Sequence, residues 1–159
     1  MLWHKETSIN HSDLIVIPGG FSYGDYLRCG AMASTSPIMQ DVVKKANEGV
    51  PVLGICNGFQ ILIESGLLDG ALMRNNCLSF ICRDVLIKSK NKSSVFTRKS
   101  KLAKMPIAHN EGNFFATSEQ LRKIEDNDQI AFQYCDETGN VEQSSNPNGS
   151  LANRFETPL

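Results

Sequence analysis

The sequence predicts an α/β fold, a mainly parallel sheet with helices on both faces. Three observations predict it. The segments DLIVIPGG (13–20) and VPVLGI (50–55) are short, continuous apolar runs stopped by Pro or Gly. Strands buried on both faces, as in parallel sheets, have this pattern. Between them lies SPIMQDVVKKANEG (36–49), with apolar residues at helical spacing. Strand, helix, strand and helix in quick succession call for parallel strands joined by right-handed crossovers. At 159 residues, one domain spanning 1–159 is the natural length.

Each element has its own justification. In the first helix Ser36 suits the N-cap and Pro37 the first helical position. Ile38, Met39, Val42, Val43 and Ala46 form one apolar stripe, and Gly49 stands where a helix ends. The segment NGFQILIESG (57–66) is a second helix closed by Gly66. Beyond Gly70 the pattern changes. FICRDVLIK (80–88) reads as a strand and NKSSVFTRKSK (91–101) as a basic, polar loop or hairpin. MPIAHNEGNFFA (105–116) is apolar but broken by His, Glu and Gly, so it reads as strand, loop and strand with functional residues at the bend. TSEQLRKIEDND (117–128) carries the capping-box pair Thr117 and Gln120 and supports a short helix. QIAFQYCD (129–136) is a further strand, and ETGN and NPNGS are turns.

Composition narrows the function classes. Sixteen basic against seventeen acidic residues leave a net charge of −1, so no global footprint for nucleic acid or an anionic membrane is present. No apolar run reaches the ~20 residues that span a bilayer. Five cysteines, Cys29, Cys56, Cys77, Cys82 and Cys135, have no framework spacing, and nothing resembling a signal peptide precedes them. They read as reduced thiols of a cytoplasmic protein. CLSFIC (77–82) lacks a partner Cys or His pair, so no metal site is expected.

The chemistry concentrates at Gly54-Ile55-Cys56-Asn57-Gly58, a G-x-nucleophile-x-G elbow with Cys in the Ser position. The apex of such a turn is strained, and Gly54 and Gly58 on either side remove the side chains that would collide. The turn lifts the sulfur out of the sheet beside a helix N-terminus, a place that favours negative charge. The N–H of Asn57 is then positioned to donate to an oxyanion. A structural Cys packed between strand and helix fits the same pattern, and on this motif alone both readings stand. PGGFSYGDYLRCG (18–30) favours the nucleophile. Its loop leaves the same edge of a parallel sheet, and Gly20 can offer a second oxyanion donor. No glycine-rich phosphate-binding motif is present. Gln60, four residues after Cys56 on a helix, shares its face and can reach a ligand at the sulfur. His109 is, on chemistry alone, a candidate base. His4 and His11 read as surface residues.

PGGFSYGDYLRCGA, GVPVLGICNGFQILIESGLLDGAL, FICRDV, PIAHNEGNFFA and NPNGS, in that order, resemble one family. It is the glutamine amidotransferase subunit of phosphoribosylformylglycinamidine synthase, a class I, triad-type glutaminase of purine biosynthesis. The resemblance implies a flavodoxin-like fold. It also implies hydrolysis of glutamine to glutamate and ammonia, with ammonia passing through a tunnel to an ATP-dependent synthetase subunit that makes the amidine. A small accessory subunit is a further implied partner. No cofactor is implied for this subunit, and ATP and Mg belong to the synthetase. By the same resemblance Cys56 forms a γ-glutamyl thioester, Gly20 and Asn57 are oxyanion donors and Gln60 holds glutamine. His109, Glu111, Gly112 and Asn113 lie in the segment implied to contact its α-groups, so the resemblance moves His109 from base to substrate pocket.

The resemblance also implies a first strand and helix ahead of WHKETS and a triad His and Glu in a later HPE motif. The 159 residues contain no HPE. The expectation is a domain incomplete relative to the family at both ends and, without the triad imidazole, impaired alone. Two other readings compete. One is a glutamine-binding or partner-docking module that does not turn over. The other is a Cys-elbow chaperone/deglycase or peptidase, against which Gln60 and the PGGFSYGDY loop argue.

Overall fold

A computed structural model describes residues 1–91, 93–97 and 102–153. Part of the polar 91–101 stretch and all of the RFETPL tail therefore lie outside the described residues. The chain forms two compact units, Met1–Asp69 and Gly70–Leu159.

In the first unit the two predicted apolar runs form β1 (Ile15–Ile17) and β2 (Val52–Gly54), paired in parallel with Ile17 opposite Gly54. The helices α1 (Ala31–Ser34), α2 (Pro37–Asn47) and α3 (Asn57–Glu64) complete it. Their apolar faces meet in a core of Ile17, Ala33, Met39, Val42, Ile61 and Leu62, with Ile15 and Val52 packed against it. The stripe expected for α2 thus buries Met39 and Val42. Pro37 starts that helix and Gly49 follows it at φ +96°. Ser36 does occupy the N-cap, but its side chain makes no cap hydrogen bond; it is buried instead. Gly66, at φ +75°, follows α3 as expected.

The second unit contains β3 (Ala71–Met73), β4 (Ile81–Ser89), β5 (Leu102–His109), β6 (Asn113–Phe115), α4 (Ser118–Asp126) and β7 (Phe132–Cys135). β4 is central, antiparallel to both β5 and β7, and β3 pairs antiparallel with β6. The α/β class stands. Among the described residues, however, parallel pairing is confined to β1 and β2, where a helical crossover separates the strands. The later strands pair antiparallel, β4 with its successor β5, and β3 with β6 and β4 with β7 across intervening strands. The strand–loop–strand reading of 105–116 matches β5 and β6, with residues 110–112 as the bend. β3 and α1, three and four residues long, are elements that the sequence reading did not include.

α4 starts as its sequence dictates. Thr117 Oγ1 accepts from Gln120 N–H at 3.2 Å, and Gln120 Oε1 accepts from Thr117 N–H at 3.0 Å. The helix buries Leu121 and Ile124. Replacing Thr117 by Ala removes half of this reciprocal cap and is expected to cost about 1 kcal/mol, whereas Thr117→Ser costs less. Urea unfolding checks this. Equal stability of both variants and wild type would contradict the cap's role.

Candidate functional site

β2 ends at Gly54, and the chain turns through Cys56 into α3. Cys56 has φ +53° and ψ −113°, a left-handed conformation in which a non-glycine residue is strained. What holds it there is backbone packing on both sides. A Cβ on Gly58 would lie 2.1 Å from the Ile17 carbonyl oxygen and 3.1 Å from that of Pro18. A Cβ on Gly54 would lie 2.8 Å from the carbonyl of Gly58 and 2.7 Å from Leu62 Cδ1. The missing side chains let β1, β2 and α3 meet backbone to backbone. The first turn of α3 closes on the elbow, with Gly58 N–H to Ile55 O at 2.8 Å and Phe59 N–H to Cys56 O at 3.0 Å. Cys56 itself is exposed.

The PGG loop passes beneath it. A Cβ on Gly19 would sit 3.1 Å from Cys56 Cβ and 3.7 Å from its sulfur, so Gly19 is the residue pressed against the thiol. Gly20 follows at φ +146° with open space on its Cβ side. The loop then runs through three consecutive positive φ values, Tyr23 (57°), Gly24 (70°) and Asp25 (50°). Two clamps to α3 hold this strained segment. Ser22 donates from its N–H (3.2 Å) and its hydroxyl (2.5 Å) to Asn57 Oδ1. Arg28 forms a two-bond fork with Glu64, at 2.9 and 2.7 Å. At the loop's end Gly30 approaches the α3 backbone so closely that a Cβ would be 2.8 Å from Ile61 N.

Asn57 is fully buried, and its Nδ2 donates to Gln60 Oε1 at 2.8 Å. Sequence reasoning assigned Asn57 only a backbone N–H. Its side chain, and Ser22, were missed, because nothing in a pattern of residue types marks a polar side chain as the pin between a loop and a helix. Of the predicted residues, Gly20, Gly54, Cys56, Asn57, Gly58 and Gln60 belong to this one constellation. His4, read as a surface residue, is half-buried, with its ring 4.6 Å from that of Trp3 and 5.5 Å from that of Tyr23. His11 is exposed.

His109, Glu111, Gly112 and Asn113 lie in the second unit, at the bend between β5 and β6. Asn75, fully buried, organises the bend. Its Nδ2 donates to the carbonyls of Ser79 and His109, both at 2.9 Å, so its Oδ1 faces Gly112 N–H (3.2 Å) and His109 Nδ1 (3.0 Å). An oxygen there requires the proton on Nδ1, which leaves Nε2 as the acceptor of neutral His109. Gly112 lies under the imidazole; a Cβ would be 2.3 Å from Cε1. The NPNGS turn secures the far side. Ser150 Oγ donates to Gly112 O and accepts from Phe114 N–H, both at 3.1 Å. Asn113 Nδ2 donates to Asn76 Oδ1 at 2.9 Å. Burial holds His109 below the usual imidazole pKa, partly offset by a backbone hydrogen bond.

Among the described residues no group of three His, Cys, Asp or Glu is placed to hold a metal ion, and no helix is long and apolar enough to cross a membrane. An open groove of about 540 Å³ in the second unit is lined by Arg83, Asp84, Lys104, Cys135 and Asp136 among others, and by none of the site residues. Its Lys104–Asp84 pair is exposed, and burial raises the Cys135 thiol pKa, opposite to what a nucleophile needs.

Two outcomes follow. Gly58→Ala is expected to lose roughly 1–3 kcal/mol or more, because backbone cannot move aside as a side chain can; wild-type stability in urea would contradict the packing described. For His109, the depressed folded pKa means that its stabilising contribution is complete above the unfolded value of about 6.5 and is lost as pH falls through the folded value. The drop in unfolding midpoint between pH 7 and pH 5 should shrink in His109→Gln. An unchanged drop would contradict this.

Comparison with known proteins agrees with the geometry. A family described as CobB/CobQ-like glutamine amidotransferase domain matches residues 1–154. The chain is 55% identical over 155 residues to the phosphoribosylformylglycinamidine synthase subunit PurQ of Pelagibacter ubique, covering 96% of this chain and 68% of that one. It is 52% identical over 156 residues to PurQ of Chlorobaculum parvum, covering 62% of that protein. Among solved structures it resembles a chain in the structure of PurLQS from Thermotoga maritima, with a TM-score of 0.70 and 34% identity, over 90% of this chain and 61% of that one. The chain thus spans roughly two thirds of the length of these relatives. An elbow cysteine in strained conformation, a glycine loop beneath it and 96% coverage at 55% identity lead to one conclusion: the chain belongs to the PurQ family of glutamine amidotransferase subunits.

Proposed function

We propose that this chain is a glutaminase subunit that supplies ammonia from glutamine, through a Cys56 thioester, to an ATP-dependent synthetase making phosphoribosylformylglycinamidine in purine biosynthesis. The observation that carries the proposal is the Cys56 backbone, held at φ +53° on the apex of a glycine-flanked turn at the start of α3. Such a conformation persists only where the surroundings impose it, and a buried structural thiol needs neither the strain nor the exposure.

In this reading the sulfur attacks the side-chain carbonyl carbon of glutamine. The carbonyl oxygen gains negative charge, and the N–H groups of Asn57 and Gly20 receive it. Asn57 suits the role because it is the first residue of α3, where backbone N–H groups have no partner within the helix. Collapse expels ammonia and leaves the γ-glutamyl thioester, which water then cleaves. Gln60 is assigned to holding glutamine. The subunit needs no cofactor of its own, and ATP and Mg act in the synthetase. The proposed setting is a cytoplasmic complex with that synthetase and a small accessory subunit, by analogy with relatives named as subunits of the synthase.

Proton transfer to the leaving ammonia needs an acid, and the 159 residues contain no HPE motif. Without such an acid the slowed step is thioester formation itself, because ammonia must be protonated as the thioester forms. A glutamine analogue carrying an electrophile in place of the side-chain amide tests the reading. Of the five cysteines it should label Cys56 alone, glutamine should block the labelling, and Cys56→Ala should abolish it. Labelling spread over Cys29, Cys77 and Cys82, or insensitive to glutamine, would overturn the proposal. Glutamine protection with no Cys56-dependent glutamate release, even with the synthetase present, would favour a binding module.

A further inference from the structure

The loop from Phe21 to Leu27 has two features that a loop in solvent ordinarily avoids. Phe21, Tyr23, Tyr26 and Leu27 are between 40% and 88% exposed, four large apolar or aromatic side chains within one short segment. Trp3, also exposed, extends the patch through the ring of His4, which touches that of Tyr23. Within the same segment Asp25 is held at φ +50°, with its Oδ1 buried and without a hydrogen-bond partner. No other carboxylate oxygen among the described residues is in that state. The residue as a whole is only half-buried, so a group arriving from solvent can reach it. The loop's own cation, Arg28, is turned to Glu64. A desolvated, unpaired carboxylate oxygen is costly, as is a positive φ outside glycine, and such costs concentrate at functional surfaces. The anchors at Ser22 and Arg28 hold the intervening residues in place beforehand, which lowers the ordering cost of binding.

We infer that this loop is a docking surface for a protein partner that brings an arginine among apolar side chains, with Asp25 as its anchor. A cation is what the carboxylate lacks. A guanidinium pairs with a carboxylate and also stacks on aromatic rings, and Tyr23 and Tyr26 flank Asp25, the Tyr26 ring lying against Gly24. Side chains this exposed are covered only by an extended surface, so the occupant is a protein and not a small molecule. Identifying that protein as the synthetase subunit rests on the glutaminase reading; the chemistry of the contact does not.

Two arms test this, and only one depends on the synthetase. In the first, the chain is titrated with N-acetyl-arginine amide, and separately with its uncharged citrulline analogue, and followed by NMR. The arginine compound should move the Asp25 carboxyl and Tyr26 ring resonances saturably, and the citrulline compound should not. No movement, or equal movement with both, would overturn the inference. In the second arm, calorimetry measures binding of the purified synthetase subunit at low and high salt. Asp25→Asn keeps the shape and suits a positive φ; it should weaken binding about 10-fold or more and flatten the salt dependence. Tyr26→Ser should weaken binding by about as much and leave the salt dependence in place. Asp25→Asn binding as tightly as wild type would overturn the inference. So would a dimer of the chain alone that Asp25→Asn dissolves, because the occupant would then be a second copy. Should Tyr26→Ser fail to fold, Asp25→Asn and the titration still decide. If the wild-type chain does not bind the synthetase, the proposed complex falls, and the titration alone then upholds or overturns the arginine site.

Discussion

The first unit depends on one steric constraint: the backbone of α3 must cross the end of β1 with nothing in between. Gly58 lies against the carbonyl of Ile17, and Gly54 against the carbonyl of Gly58. Any side chain at either point would drive the helix off the strands. That approach fixes where α3 begins, and where α3 begins fixes the backbone of Cys56, the residue bridging β2 and the helix. The positive φ of Cys56 is thus imposed by the packing of its neighbours, with the apolar core beneath supplying the stabilisation that offsets its strain.

The loop after β1 repeats the arrangement. Three successive left-handed residues would not hold their shape alone. Ser22 and Arg28 fasten both ends of the segment to α3, through Asn57 and Glu64. The Ser22 pin is the better protected, since Asn57 has no exposed surface while Arg28 is two-thirds exposed (67%). The Arg28 fork joins an exposed guanidinium to a Glu64 side chain that is only 12% exposed. The bend between β5 and β6 uses the same device, with Asn75 and Ser150 pinning backbone groups and Gly112 making room for an imidazole.

Sequence reasoning reached the parts governed by residue type at fixed spacing. Gly54-x-Cys56-x-Gly58, Pro37 and Gly49 around α2, and the Thr117–Gln120 box each encode a local backbone requirement that only certain residues meet, and each appears where expected. It did not reach Asn57, Ser22, Asn75 or Ser150. These are ordinary polar residues whose importance comes from a partner 34 to 38 positions away, a distance no local pattern can report. The antiparallel arrangement of β4, β5 and β7 was likewise hidden, because strand direction is decided by connections and not by the residues within a strand.

The central claim is that Cys56 is presented as a nucleophile toward a side-chain amide. The most direct measurement is mass spectrometry of the intact chain, acid-quenched at intervals after mixing with glutamine and then digested. The account predicts a γ-glutamyl adduct on the peptide bearing Cys56 and on no other cysteine, discharged by hydroxylamine as a thioester must be. An unmodified Cys56 peptide in a chain that binds glutamine would contradict it.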